Sequence, residues 1–499
     1  MLQSSNIPTV HLGLIAVSRD CFPVELSERR RAAIAAACER RGLPITEVEV
    51  TVQSETDAMA AVAEAQKAGC NALAVFLGNF GPETPETQIA KMFDGPVMYA
   101  AAAEGDGDLI NGRGDAYCGM LNCSYNLGMR HLNAHIPGYP VGTAGDVAQM
   151  MADFIPVARA VIGVRNLKII TFGPRPQDFF ACNAPIKGLY ELGVEIEENS
   201  ELDLLVSYKE HAGDPRIDEV CKDMAAEMGE GCYYPDLLAR MAQFELTLLD
   251  WAEQHKGSKR YVAFADKCWP AFPSQFGFEP CYVNSRLVSR GIPVSCEVDV
   301  YGALSEYIGM CASDDTVTLL DINNTVPAQM YAESIEGKFP GDYRLTDTFM
   351  GFHCGNTPSC KLCSDRAVKY MLIQHRLLEP AGSDPDFTRG TLEGDIAASP
   401  ITFYRLQCDS EGRLRSYIAQ GEILPVKTGS FGGIAVFAIP EMGRFYRYVL
   451  LEKRYPHHGA VAFSHCGRAL FDIFRFLGIG DIAYNHPAGL PYPTENPFA

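Results

Sequence analysis

Two acidic residues and a pair of histidines stand at positions where a divalent metal could be held. Glu297 follows an apolar run and precedes a helical pattern, Asp321 ends a second apolar run, and His457 and His458 precede a third. In open α/β sheets, residues that follow a strand face the ligand crevice. Two carboxylates and an imidazole from separate elements can bind one hard or borderline ion and leave positions open for a substrate. The pattern indicates metal-assisted chemistry on a small molecule.

Each of these residues also has an ordinary structural interpretation. Glu297 could be a charge at a helix N-terminus, Asp321 a turn former and His458 a hydrogen-bonded core histidine. The sequence has no Walker A loop, no GxGxxG after its first strand, no HExxH and no GxSxG. Nucleotide-dependent chemistry therefore has little support.

Composition excludes several classes of protein. The 499 residues include 62 acidic and 42 basic side chains, which gives a net charge of −20. A nucleic-acid binder or a protein of anionic membrane surfaces needs a basic face, so neither partner is expected. Apolar runs stay shorter than the ~18 residues of a membrane span. The run at residues 10–17 has no basic segment before it, which predicts no export signal. We expect a cytoplasmic protein whose 17 cysteines are mostly reduced and buried.

The elements that must position the candidate residues fall into three regions. In the first hundred residues, strand patterns alternate with helical ones, beginning with a strand at residues 10–17 and a helix with Ser27 at its N-cap. A similar alternation restarts near residue 165 and continues to about 312, and short β-rich segments follow. We predict two Rossmann-like or flavodoxin-like parallel-sheet α/β domains, 1–165 and 166–312, and a β-rich, barrel-like domain, 313–499.

Most of the chain resembles the L-fucose and L-arabinose isomerase superfamily, and it is closer to the fucose-isomerase branch. The resemblance rests on the order and spacing of seven segments: Ser18-Arg19-Asp20-Cys21-Phe22-Pro23, Lys267-Cys268-Trp269-Pro270, the run from Cys296 to Leu304, Leu320-Asp321-Ile322-Asn323-Asn324, His353-Cys354-Gly355-Asn356, Glu393-Gly394-Asp395 and His457-His458.

The resemblance implies a metal-dependent aldose–ketose isomerase that acts through an enediol, usually with manganese. Glu297, Asp321 and His458 match the family's metal ligands, with His457 as the competitor for the last place. The same two carboxylates would do the acid–base work, in an order that the sequence leaves open. His353 is the only counterpart of a fourth ligand in the arabinose branch. The resemblance also implies a homo-oligomer, a hexamer or trimer, with the active site at a subunit interface.

Sugar-binding residues are harder to identify. Trp269 could stack on a sugar and Gln275 could bind its hydroxyls, although a tryptophan is more often packed in a core. His353 and Asn356 are further candidates, and Arg19 could reach the site of a neighbouring subunit or form a surface ion pair. An anionic substrate would need such an arginine. The sugar could be L-fucose-like, D-arabinose-like or a hexose substituted at C6.

Three other functions compete with this interpretation. His353, Cys354, Cys360 and Cys363 could form a structural zinc site, although four-ligand sites usually use two separated pairs. Two α/β lobes around a cleft would also suit a sugar-binding protein without catalysis. Two carboxylates could alternatively serve a glycosidase, which would need no metal.

Overall fold

The computed structural model describes residues 5–109, 113–373, 386–496 and 498. Its residues fall into two compact units. The smaller unit takes residues 8–162 and 475–478, and the larger unit takes the rest of the described chain. The boundary that the sequence suggests at residue 312 lies inside the larger unit and stays a prediction.

The smaller unit is a five-stranded parallel sheet with helical crossovers. Its elements are β1 (Leu12–Val17), α1 (Val24–Arg40), β2 (Ile45–Glu47), α2 (Glu55–Lys67), β3 (Ala72–Leu77), α3 (Glu83–Met92), β4 (Val97–Ala102), α4 (Ala116–Met129), β5 (Val141–Gly142) and α5 (Ala144–Arg165). The strand order is β2-β1-β3-β4-β5, the order of flavodoxin-like sheets. Strands β1, β3 and β4 are buried along their whole length, as strands covered by helices must be.

The larger unit begins with a second parallel sheet, in the order β7-β6-β8-β9. Its elements are β6 (Leu167–Gly173), α6 (Lys187–Glu191), β7 (Glu195–Ser200), α7 (Glu201–Glu210), α8 (Ile217–Met228), α9 (Leu238–His255), β8 (Tyr261–Asp266), α10 (Phe272–Phe276), α11 (Cys281–Ser289), β9 (Val294–Ser295) and α12 (Val300–Ser313). The two sheets confirm the predicted pair of parallel α/β regions.

The rest of the larger unit is a nine-stranded mixed sheet. Its elements are β10 (Val317–Asn324), α13 (Ala328–Ser334), β11 (Thr348–His353), β12 (Ala367–Ile373), β13 (Asp386–Asp395), β14 (Ser399–Cys408), β15 (Leu414–Leu424), β16 (Gly433–Ala438), α14 (Met442–Phe445), β17 (His458–Ala462), α15 (Gly467–Phe476) and β18 (Asp481–Tyr484). Strands β16-β11-β10-β17-β14-β15 follow one another, and β15 pairs again with β16. This pairing closes six strands into a ring, which confirms the barrel-like prediction.

Helix α12 joins the two sheets of the larger unit. It contacts β6, β8 and β9 of the parallel sheet and β10, β14 and β17 of the barrel. All its residues except Ser313 are buried. Gly309 allows the close approach, because a Cβ there would lie 1.5 Å from the Tyr404 hydroxyl. The N-terminus of this helix is therefore fixed against both sheets.

Two local predictions were wrong. Helix α1 begins at Val24, and Ser27 lies inside it, where its hydroxyl donates to the Val17 carbonyl instead of capping the helix. Strand β10 continues to Asn324, so Asp321 lies within the strand and not at its end. Asp321 stays in the strand because it is paired on both sides, with Phe352 of β11 and His458 of β17.

Helix α5 is long and apolar enough to cross a membrane, but 61% of its most apolar window is buried in the protein. Core helices pass the same test of length and composition. All 17 cysteines are free thiols, and ten of them are buried, in agreement with the prediction from their scattered positions.

Burial of Glu306 in α12 predicts a pH-dependent contribution to stability. Burial raises the pKa of Glu306 from 4.5 to about 8, and its Oε1 has no hydrogen-bond partner in the described chain. The folded state thus binds a proton that the unfolded state releases. Protonated Glu306 stabilises the folded state fully below its unfolded-state pKa near 4.5. This stabilisation is lost as the pH rises towards the folded-state pKa of about 8. At ~1.4 kcal/mol per pH unit, the total loss is a few kcal/mol.

We therefore expect Glu306→Gln, which mimics the neutral acid, to gain stability relative to the native chain between pH 5 and pH 8. Urea unfolding of both proteins at the two pH values measures this difference. The exposed Glu411→Gln is the matched control and should show no such trend. A stability difference for Glu306→Gln that does not change with pH would contradict the prediction.

Candidate active site

His458 is the centre of a buried cluster of polar side chains. It opens β17, directly opposite Asp321 of β10, so both side chains lie on the same face of the barrel sheet. Its Nε2 is 3.2 Å from Asp321 Oδ1 and 3.3 Å from Glu297 Oε2. Three residues that are far apart in the sequence thus meet within contact distance.

Glu297 reaches this cluster from a strained turn. The 3₁₀ turn Cys296–Val298 connects β9 to α12, and both Glu297 (φ 60°) and Val298 (φ 58°) have left-handed backbone conformations. Such conformations cost of order 1–2 kcal/mol in residues with a Cβ, and most in β-branched ones. Trp269 Nε1 donates to Glu297 Oε1 at 2.7 Å and fixes the carboxylate. Backbone strain held by its surroundings is typical of functional sites.

A buried ion pair orients His458 from its other side. His458 Nδ1 is 2.8 Å from Asp299 Oδ2, and both Asp299 oxygens accept from Arg405, each at 2.8 Å. The Arg405 side chain is fully buried. Asp299 also caps α12 by accepting from the Gly302 amide at 2.9 Å. This arrangement assigns a proton to Nδ1 and leaves Nε2 facing Glu297 and Asp321.

Charge in the cluster favours ionised carboxylates. Burial alone raises a carboxyl pKa, but His458 lowers the pKa of Glu297 and Asp321 below their ordinary values. Burial is likewise outweighed at Asp299, where Arg405 and His458 hold the pKa far below the usual range. Burial alone lowers an imidazole pKa, yet the bond to Asp299 and the two nearby carboxylates raise the pKa of His458 well above 6.5. The cluster therefore attracts positive charge.

Each carboxylate lies close enough to His458 Nε2 to share a divalent cation with it. The donor atoms of Glu297, His353 and His458 lie within 4.8 Å of one another, and so do those of Asp321, His457 and His458. Although the contacts are short, His458 Nε2 and Asp321 Oδ1 are buried without a partner in hydrogen-bond geometry within the described chain. Two ligand atoms ~2.1 Å from one ion lie roughly 3.0–3.4 Å apart, which matches the 3.2 and 3.3 Å separations. An imidazole held by a carboxylate is the usual arrangement of a metal-binding histidine.

The neighbouring histidines have different surroundings. His457 is 38% exposed in its side chain, and its Nε2 is 3.7 Å from Asp321. His353 is buried at the end of β11, where burial lowers its pKa and its Nδ1 accepts from the Cys354 amide at 3.0 Å. The proton of neutral His353 is therefore on Nε2, which makes this nitrogen a hydrogen-bond donor rather than a metal ligand.

A cavity of about 480 Å³ opens at the end of β10, two residues beyond Asp321. Phe352, which is paired with Asp321, lines it together with Phe431, and the two rings meet edge to face at 5.5 Å. Its polar lining is neutral: Asn323, Asn324, Thr325, Thr428 and Ser430. Its volume suits a monosaccharide, with apolar and hydroxyl-binding walls.

The structure brings some of the predicted sugar-binding residues together and leaves others apart. Trp269 is in the cluster, through its bond to Glu297. Asn356 is buried, and neither polar atom of its side chain has a hydrogen-bond partner in the described chain. Gln275 is exposed in α10 and contacts its neighbour Ser274 at 3.5 Å. Arg19 belongs to the smaller unit, where it stacks on Phe80 and lies 3.6 Å from Glu83.

Sequence reasoning did not identify several residues of the cluster. Asp299 lies in the run from Cys296 to Leu304 that carries the resemblance, but the sequence did not indicate its function. No local sequence pattern around Arg405 indicates that it supports the cluster. Phe179 follows β6 and contacts Trp269, His457 and His458 at centroid distances of 5.5–6.2 Å. The sequence Gly-Pro-Arg-Pro at residues 173–176 predicts that a loop follows β6, but it does not indicate that Phe179 contacts the cluster.

Among the described residues, every group of three or more converging metal-ligand side chains contains His458. None of these groups includes Cys354, Cys360 or Cys363. Cys360 is exposed, and Cys354 and Cys363 are partly so. The alternative of a structural zinc site in this loop gains no support from the geometry.

Comparisons with known proteins identify similar sugar isomerases. A family model described as the N-terminal domain of fucose/sulfoquinovose isomerase matches residues 13–165, and one described as the C-terminal domain of L-fucose isomerase matches residues 351–484. A sulfoquinovose isomerase of Priestia megaterium is 24% identical over 66% of this chain and 67% of its own. Another, of Alkalicoccus urumqiensis, is 21% identical over 70% and 72%.

If Asp299 orients His458 for metal binding, Asp299→Asn should weaken Mn²⁺ affinity by about 10–100-fold, as loss of such outer partners does. Isothermal titration with Mn²⁺ measures this, with circular dichroism as a check that the protein is folded. Loss of the charge beside buried Arg405 should also lower stability, by ~3–5 kcal/mol.

Asp347→Asn is the matched control, because Asp347 is a buried carboxylate held by two bonds from Arg344, and none of its contacts is to a histidine. It should leave Mn²⁺ affinity unchanged. Equal effects of the two substitutions on affinity would show that Asp299 has no special role at the metal.

Proposed function

The chain belongs to the L-fucose and L-arabinose isomerase superfamily, closer to its L-fucose isomerase branch, and we propose that it isomerises a 6-sulfonated aldose to the ketose. The family makes the chain an aldose–ketose isomerase. The sugar, the metal, the ligands and a cytoplasmic location are parts of the proposal. The observation that carries it is that Asp321 Oδ1 and Glu297 Oε2 lie 3.2 and 3.3 Å from the same atom, His458 Nε2.

In the proposed reaction, the protein moves a proton between C1 and C2 of an open-chain sugar. A divalent ion, Mn²⁺ in the proposal, would polarise the carbonyl and stabilise the negative charge that develops in the enediol. Glu297 and Asp321 hold it with His458, and one of the two carboxylates removes the proton from one carbon and returns it to the other. Their lowered pKa values keep them ionised and ready to accept a proton.

Other side chains of the cluster bind the sugar or orient the carboxylates. Trp269 fixes Glu297 by its hydrogen bond, and Phe179 covers the site beside His457. His353 donates its Nε2 proton to a sugar oxygen. The sugar chain beyond C2 lies in the cavity past Asp321, where Asn323 and Thr428 offer hydrogen bonds to hydroxyls.

The 6-sulfonate is proposed because the relatives are named sulfoquinovose isomerases. The lining of the cavity is uncharged, so a cation must come from elsewhere. Arg19 of a second copy is our candidate, since the resemblance places the active site at a subunit interface. Its guanidinium is held on Phe80, and its Nε donates to the Gly81 carbonyl. Among the described residues, Glu83 is the one carboxylate that pairs with its outer nitrogens, at 3.6 Å.

A homo-oligomer is supported by an exposed apolar stripe on α4. Tyr117, Leu121, Tyr125 and Met129 are four residues apart, so they lie on one face of the helix, and each is 55–68% exposed. The 14 residues of α4 include no charged side chain. Two copies that each carry −20 repel one another, so an uncharged apolar face is where they can meet. We propose that this stripe contacts a second copy of the chain.

The proposed activity is tested with neutral, 6-deoxy, 6-phosphorylated and 6-sulfonated aldoses, with EDTA and with added Mn²⁺. We expect ketose formation from the 6-sulfonated sugar that EDTA abolishes and Mn²⁺ restores. Glu297→Gln should lower kcat by at least ~10²-fold, while the exposed Glu411→Gln should not change it. Metal-independent release of a reducing sugar from a glycoside would favour a glycosidase, and binding without turnover would favour a sugar-binding protein.

The proposed self-contact is tested with Leu121→Glu, which places a charge in the apolar stripe. We expect a smaller molar mass than that of the native chain in sedimentation velocity, because the charge would be buried without a partner. The matched control is Leu202→Glu, at a residue 71% exposed on α7 of the larger unit. A native chain that sediments as a monomer, or an unchanged mass for Leu121→Glu, would contradict the proposed contact.

A further inference from the structure

A cleft of about 600 Å³ lies in the larger unit, outside the catalytic cluster. Three segments line it: the loop around residues 180–185, the facing ends of β14 and β15, and the loop at residues 452–456. Four of its lining residues are cations: Arg413, Arg415, Lys453 and Arg454. In a chain of net charge −20, such a concentration of positive charge needs an explanation.

Two of these cations are neutralised by carboxylates. Arg413 is 2.9 Å from Asp409 and 3.1 Å from Glu411, and Lys453 pairs with Asp481. The remaining acidic residue of the lining, Glu452, is 3.0 Å from Arg447. The acidic groups around the cleft are therefore engaged with other partners.

Arg415 and Arg454 have no carboxylate partner in the described chain. The Arg415 guanidinium lies 4.6 Å from the centre of the Tyr455 ring and donates to the Arg454 carbonyl at 3.1 Å, while its buried Nε has no hydrogen-bond partner there. Arg454 is exposed and has a left-handed backbone conformation, with φ at 58°, and its side chain makes no hydrogen bond or ion pair within the described residues. Two uncompensated guanidinium groups thus line one cleft.

We propose that this cleft binds a tetrahedral oxyanion through Arg415 and Arg454. The planar guanidinium fork matches the oxygens of phosphate, sulfate or a sulfonate, and it binds them with two parallel hydrogen bonds. The ligand is either a free inorganic anion or the phosphoryl or sulfonate group of a small metabolite. This inference does not depend on the proposed isomerase activity.

The cleft shares its walls with the catalytic cluster. Pro456 precedes His457, and Phe180 follows Phe179, which contacts His457 and His458. Gln407 lines the cleft and accepts from Arg405 Nε at 2.9 Å, and Arg405 holds Asp299. An anion in the cleft would therefore contact segments that carry or support the catalytic cluster. Binding of the anion could in this way change the positions of the cluster's side chains.

Isothermal titration of the Mn²⁺-loaded full-length protein with sulfate tests the site, with chloride at equal ionic strength as the reference. We expect saturable binding that Arg454→Ala weakens at least tenfold. Arg454 is exposed and its side chain has no described partner, so this variant should fold normally. Arg415→Ala should have the same effect, and Arg415→Lys should retain part of the binding. Lys187→Ala, which removes an exposed cation paired with Glu191, is the matched control and should bind as the native chain does.

The same titration with a hexose 6-phosphate and a hexose 6-sulfonate distinguishes the two sources. Binding at least tenfold tighter than sulfate, lost in Arg454→Ala, would identify a sugar-linked oxyanion. Binding no tighter than sulfate would identify a free anion. Absence of binding by all three ligands, or equal binding by native protein and Arg454→Ala, would overturn the proposal. Turnover is not the readout, so failure of this proposal leaves the proposed isomerase activity untouched.

Discussion

The buried ion pair between Arg405 and Asp299 is the interaction on which the rest of the site depends. A buried pair of this kind contributes little net stability, because desolvation offsets most of the attraction. The ion pair instead fixes the positions of neighbouring groups. Asp299 receives two bonds from Arg405, caps α12 through Gly302 and fixes the ring of His458. One carboxylate thus links the barrel strand that carries Arg405, the helix between the sheets and the histidine at the centre of the cluster.

This constraint separates the roles of three neighbouring histidines. His458 has its Nδ1 held by Asp299, so its Nε2 can face Glu297 and Asp321. His353 accepts a backbone amide at Nδ1, so its Nε2 carries the proton. His457 precedes β17, is half-buried and packs on Phe179, and its Nε2 is 3.7 Å from Asp321 Oδ1. The three histidines therefore differ in the hydrogen bonds and ring contacts that they make.

The fold class could be predicted from the sequence. Glu297, Asp321 and His458 stay the predicted metal ligands, and the residues that hold them in place could not be predicted. Apolar runs and helical patterns identify parallel sheets locally, and Glu297, Asp321 and His458 stand in recognisable segments. The pairing of Arg405 with Asp299 joins residues 106 positions apart, and no local pattern indicates it. Asp321 was placed at a strand end because its partners in β11 and β17 are distant in sequence. The bond that distinguishes His458 from His457 likewise comes from a distant residue, because Asp299 lies 159 positions before His458.

The measurement that tests this account most directly is an anomalous diffraction map from crystals of the protein grown with Mn²⁺. The account predicts one strong peak bounded by Glu297, Asp321 and His458 Nε2, with Asp299 still bonded to Nδ1 and with His353 outside the coordination shell. A peak at His457 with His458 unligated, a peak in the loop of Cys360 and Cys363, or a map without a peak at saturating Mn²⁺ would contradict it.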